Sequence, residues 1–191
     1  MVMHKKILIL FFVVVCCVNT VFAQRTSYGE SALSISGGTT VSSFGGEVMY
    51  GYYLHSGYVF GDINFANRME IDKLSNEQIH YPRLQFEGGY MFRFWANHSR
   101  SVNFYGGLSA FIGIELFDLY KTLSEPVRQS LLINGYKTTQ FIYGTSPRLE
   151  AEFFVLPSFA LIIKGRVPVI CFNTKFPMVG WEAQAGVKIN F

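Results

Sequence analysis

Few side chains in this sequence are of the kinds that make or break bonds. His55-Ser56 and His98-Ser99 each set a hydroxyl beside an imidazole, and Glu150 and Glu152 stand two residues apart. That last spacing places two carboxylates on one face of a strand. A nucleophilic serine needs a base within hydrogen-bond reach and a third group to orient that base. Neighbours in a short turn do not supply this, so both His-Ser pairs read as polar turns. Paired carboxylates suit general acid–base work, but Arg148, Lys164 and Arg166 fall on the same side of the pattern, and the pair reads instead as part of an ion-pair network. A metal site needs clustered His, Cys or carboxylate ligands. Past residue 23 the chain offers one cysteine, Cys171, and the scattered His55, His80 and His98. No glycine loop of the phosphate-cradling kind occurs. The expectation is a protein without catalytic residues, cofactor, metal or small-molecule substrate.

The elements that carry these residues are strands. Val179 to Phe191 is an unbroken period of two, with Val179, Trp181, Ala183, Ala185, Val187, Ile189 and Phe191 apolar and polar residues or Gly between them. A span of roughly 9–11 tilted residues crosses a bilayer as a strand, so this stretch is long enough. Seven further segments alternate: Ser31–Gly37, Glu47–Leu54, Tyr58–Phe65, Pro82–Phe94, Val102–Leu116, Phe141–Val155 and Phe159–Val169. The connections His55–Gly57, Ala96–Ser101 and Leu156–Ser158 are short. Ala66–Tyr81 and Phe117–Gln140 are long, and Cys171–Met178 is intermediate. Short and long connections thus alternate, as they do between the two sides of an outer-membrane barrel, whose turns on the periplasmic side are short. The predicted fold is an eight-stranded antiparallel up-and-down transmembrane β-barrel over residues 24–191, with both termini periplasmic.

The amino-terminal stretch fits export. His4, Lys5 and Lys6 precede the apolar run Ile7–Val15, and Val21-Phe22-Ala23 places small residues for cleavage before Gln24, so residues 1–23 read as a signal peptide. Val14 and Val15 before Cys16 and Cys17 argue against lipidation there. The remaining chain holds fourteen basic against thirteen acidic residues, Lys5 and Lys6 having been removed from sixteen. Such a balance argues against a nucleic-acid partner, which requires a basic patch or stripe. One cysteine permits no internal disulfide.

Which face points inward separates a membrane barrel from a soluble, lipocalin-like one. The apolar positions are uniformly large and would overfill a lumen that side chains of eight strands just fill. The polar face carries Arg83, Glu87, Glu115, Arg148, Glu150, Glu152, Lys164, Arg166, Glu182 and Lys188, a mixture of signs able to pair inside. Tyr50, Tyr52, Phe92, Phe94, Trp95, Phe104, Phe153, Phe159 and Phe191 gather near the short turns, as an interfacial girdle would. Apolar side out is therefore expected, with Val187 toward lipid and Lys188 in the lumen. On this reading Val187→Arg is costly and Lys188→Gln is better tolerated. Within Phe117–Gln140, Leu119, Leu123, Val127 and Leu131 recur at helical spacing, with Ser124, Pro126 and Gly135 as start and stop signals. Two readings stand side by side: a short amphipathic helix that meets a partner, and a loop folded over the barrel mouth.

The final strand, with Trp181, Val187, Ile189 and the aromatic end at Phe191, resembles the assembly signal of bacterial outer-membrane barrels. That resemblance implies the barrel-assembly machinery as a partner, beside outer-membrane lipid. Phe141-Ile142-Tyr143-Gly144 with Arg148-Leu149, then Gly165-Arg166, Ala185-Gly186-Val187 and Asn190-Phe191, resemble the TraO family of conjugative-transposon transfer proteins from Bacteroidetes. The resemblance implies a non-enzymatic outer-membrane part of a DNA-transfer apparatus, with other transfer proteins as partners and no direct DNA contact. The rival expectations are a general surface or adhesion barrel, a lipid-modifying barrel enzyme and a soluble binding barrel.

Overall fold

The computed structural model of the protein describes residues 28–40, 44–71, 78–116, 139–172 and 179–191. The expected signal peptide, and the helical-period segment with Leu119, Leu123, Val127 and Leu131, lie outside these residues. Alternation becomes strand almost everywhere else: β1 (Ser31–Thr40), β2 (Phe44–Tyr53), β3 (Gly57–Ile71), β4 (Gln78–Ala96), β5 (Val102–Leu116), β6 (Thr139–Leu156), β7 (Phe159–Arg166), β8 (Val169–Phe172) and β9 (Glu182–Asn190). The hydrogen-bonded order β5-β4-β3-β2-β1-β9-β7-β6 is closed by pairing of β5 with β6, and every pairing is antiparallel. β8 pairs with β6 in the register that β7 began, so β7 and β8 are two pieces of one stave interrupted at Val167-Pro168. Eight staves make a closed barrel, and closure leaves no sheet edge to expose unpaired backbone to hydrocarbon.

Side chains sort by parity. Ile35, Val48, Ile63, Phe86, Leu108, Ile112, Leu149, Ile163 and Ile189 stand exposed around the outside, while Glu47, Asp62, Arg83, Glu87, Glu115, Arg148, Glu152 and Lys188 are buried within. This is the inverse of a soluble barrel, and it removes the lipocalin-like alternative: the apolar face points outward and the charged face fills the interior. Tyr50, Tyr52, Phe92, Phe94, Trp95 and Phe191 are exposed near the short-turn end. Trp95 reaches that belt through a β-bulge. The ladder pairs Arg93 with Tyr105 and then Trp95 with Phe104, leaving Phe94 as the extra residue, so both Phe94 and Trp95 point outward.

Several strand boundaries differ from the sequence-based expectation, and two of them have a clear physical reason. The connection placed at Ala66–Tyr81 is mostly strand, because the β3–β4 ladder runs on to Ile71↔Gln78. Likewise the stave placed at Phe159–Val169 is split by Pro168 and continues to Phe172. Proline has no N–H to give the ladder, so the Pro168 rung carries a single bond, from the Gly180 amide to the Pro168 carbonyl (3.1 Å).

Candidate functional site

The chemistry of this barrel is concentrated in its lumen, and the register explains why. Arg148, Glu150 and Glu152 alternate inward along β6, and β7 sets Lys164 opposite Glu150 and Arg166 opposite Arg148. Two arginines facing each other across a ladder repel. Glu87, on the non-adjacent stave β4, resolves this: Arg148 Nε donates to it at 2.7 Å, and Arg166 donates to its other oxygen. Arg166 also holds its β9 neighbour Glu182 at 2.6 Å. Arg148 Nη2 further reaches Asp62 at 2.7 Å and Glu47 at 3.3 Å. Lys164 joins Glu47 (2.7 Å) to Glu150 (3.7 Å), and Lys188 lies between Glu150 and Glu152. The result is one chain of alternating charge: Glu182, Arg166, Glu87, Arg148, Glu47, Lys164, Glu150, Lys188, Glu152. Arg83 and Glu115 form a further pair, both fully buried.

Aromatic and apolar groups close this column at each end. Toward the short turns, the Tyr53 hydroxyl donates to Glu152 (2.6 Å) and the Tyr58 hydroxyl to Glu150 (2.8 Å). The Lys188 ammonium lies 4.5 Å from the Tyr58 ring centroid, within cation–π range, and Met49, Met91, Phe60 and Tyr105 pack around these rings. At the other end Phe111, Ile142 and Ile170 form a second cluster. Gly144 makes room for it, since a Cβ there would stand 2.7 Å from Phe111 Cζ. Between the caps, a cavity of about 10 Å³ lined by Glu47, Arg148, Lys164, Arg166 and Glu182 is the size of about one water.

All ten charged residues proposed from the sequence point into the lumen. Eight of them (all but Arg83 and Glu115) join the one chain. Sequence reasoning left Glu47 out of the network although its parity matches Met49 and Gly51, and it did not foresee the tyrosine cage. Trp181, Val187, Ile189 and Phe191 all face outward. Elsewhere the suspected catalytic groups are engaged or apart. Glu150 and Glu152 both accept from Lys188. Ser99 Oγ bonds with Asn97 and Ser101, Ser56 Oγ bonds with the Tyr90 hydroxyl, and the His55 ring packs tilted against Tyr28, centroids 4.3 Å apart. Among the described residues, no group of three or more His, Cys, Asp or Glu converges as metal ligands.

Comparison with known proteins follows the same lines. The family profile described as conjugative transposon protein TraO matches residues 43–191, from the start of β2 through β9. None of the curated proteins matches the chain. Among solved structures, Neisserial surface protein A is similar at 14% identity and a TM-score of 0.62, over 86% of this chain and 98% of that one. Ail, the attachment invasion locus protein of Yersinia pestis, is similar at 17% identity and TM-score 0.54, over 86% and 100%. OprG of Pseudomonas aeruginosa, an outer membrane protein, is similar at 9% identity and TM-score 0.57, over 89% and 99%. At these identities the likeness is one of fold.

Proposed function

Since the chain belongs to the TraO family of conjugative transposon proteins, we propose that it serves a DNA-transfer apparatus as a non-enzymatic barrel of the outer membrane. The observation that carries this reading is the family match across β2 to β9, joined to a barrel with its apolar face outward. The lumen is filled by its own ion pairs and capped by side chains, which favours an anchoring or docking role over a conduit for DNA. Residues 1–23 would direct export, and the short turns would then lie on the periplasmic side with both termini. The strand ending at Phe191 would engage the barrel-assembly machinery, and residues 117–140 would meet other transfer proteins.

The test is a mating assay. Deletion of the gene in the donor should lower transfer frequency, and the full chain supplied in trans should restore it. Unchanged transfer on deletion would overturn the conjugative role. A second reading, a surface adhesion barrel, draws on the likeness to Ail, which is named for attachment and invasion. It predicts the opposite pattern: normal mating and reduced binding to surfaces.

A further inference from the structure

In the lumen, Arg83, Arg148, Lys164, Arg166 and Lys188 each have an acidic partner. At the short-turn end the Arg93 guanidinium donates to the His55 carbonyl at 3.3 Å. Arg100 stands apart. Its guanidinium makes no hydrogen bond or ion pair with any described residue, and it sits in the turn between β4 and β5 with a φ of 56°. That left-handed conformation is sterically costly for a residue with a Cβ and free for glycine. The turn does not depend on the arginine side chain. Asn97 builds it: its amide donates to the Val102 carbonyl (3.0 Å), its side-chain oxygen accepts from the Val102 amide (3.1 Å), and its Nδ2 donates to Ser99 and Ser101. Arg100 contributes only its backbone N–H, to the Asn97 carbonyl at 2.9 Å. A strained backbone that holds an unpartnered cation is poorly explained by folding alone.

Its level on the barrel supplies a reason. The last two ladder pairs before the turn are Trp95↔Phe104 and Ala96↔Asn103. Phe94 and Trp95 are half exposed on the outer wall, and the Trp95 and Phe104 rings lie 5.3 Å apart. Aromatic rings of this kind sit at the headgroup level of a bilayer. Arg100 is therefore held one step past the hydrocarbon, where phosphates lie, and a guanidinium fork matches a phosphate's oxygens. We propose that Arg100 is a lipid contact: it binds the phosphate of an anionic phospholipid in the leaflet at the short-turn end. The proposal rests on the barrel being membrane-spanning.

The test uses the full chain folded into vesicles of phosphatidylcholine alone or mixed with phosphatidylglycerol, with equilibrium unfolding in urea as the readout. For the native chain, the anionic lipid should raise the folding equilibrium constant by about fivefold, the effect of one basic group near an anionic surface. Arg100→Gly should equal or exceed the native chain in phosphatidylcholine, since it relieves the left-handed strain, and should lose the gain from phosphatidylglycerol. Arg100→Lys should keep part of that gain. Full retention of the gain by Arg100→Gly would overturn the proposal. So would an equal, Arg100-dependent gain from inorganic phosphate added to phosphatidylcholine vesicles, because the site would then be one for free anions. Failure of the native chain to insert into either vesicle would count against the membrane reading itself.

Discussion

Lys188 shows how far a single position depends on what surrounds it. It is 1% exposed, lies between Glu150 and Glu152, and sits over the Tyr58 ring. Removing one partner from a buried ion pair leaves an uncompensated charge, and such losses run to about 3–5 kcal/mol. Lys188→Gln would leave Glu152 without its cation and Glu150 with only the longer contact to Lys164 (3.7 Å), so the sequence-based expectation that it is better tolerated than Val187→Arg is revised to a comparable loss. Val187, one residue earlier, faces outward and is 36% exposed. Val187→Arg should cost about 2–4 kcal/mol near the bilayer midplane. Both variants should therefore unfold at lower urea than the native barrel, for opposite reasons. A triple variant, Lys188→Met with Glu150→Gln and Glu152→Gln, separates them, because neutralising the whole cluster removes the stranded charge. It should recover much of the Lys188→Gln loss in the same unfolding assay, whereas the Val187→Arg loss should be unchanged in that background.

Strands were the legible part of the chain, and Pro147 marks where legibility stopped. Period-two alternation located all eight staves, and β5 at its observed ends, because in hydrocarbon each outward residue must be apolar while the lumen needs polar groups that pair. Parity alone is mute about which aromatic residues turn inward. Tyr53 and Tyr58 read the same on either face, and only closure of the barrel brings them to Glu152 and Glu150 across the lumen. Contacts such as Glu87 with Arg166 join staves that are not neighbours in the sheet, and no local pattern encodes them. The far part of the β3–β4 hairpin reads as a loop from its sequence because its alternation lapses, while its backbone pairing continues to Ile71↔Gln78. Pro147 belongs to this second kind of information. It sits inside β6, takes the Val167 N–H on its carbonyl at 3.0 Å, and has no N–H to return. Pro147→Val should complete that rung and stabilise the barrel by about 0.5–1.5 kcal/mol, the net worth of one hydrogen bond. A raised urea midpoint at unchanged slope would show it; a lowered midpoint would mean that the proline ring itself is needed there.

At the scale of the whole molecule, the lumen decides what the barrel is able to pass. Eight staves enclose a space that side chains nearly fill, and here they fill it with ion pairs between two apolar caps. The cavity between Glu47, Arg148, Lys164, Arg166 and Glu182 is about 10 Å³, room for about one water and far less than a sugar needs. The salt bridges also tie β2, β3, β4, β6, β7 and β9 to one another across the interior, so opening a path means breaking several buried pairs at once. Liposomes carrying the purified barrel should accordingly show no swelling in isotonic arabinose beyond that of protein-free liposomes. Swelling at a porin-like rate would mean that the column of Glu87, Arg148 and Lys164 is not the resting state of the protein. With the lumen closed, any contribution to DNA transfer falls to the outer wall and the connections between staves. Glu115→Gln, which removes one charge of the Arg83–Glu115 pair, should then leave mating frequency in step with the amount of folded protein. A drop in mating at unchanged folded protein would instead give the lumen a direct part in transfer.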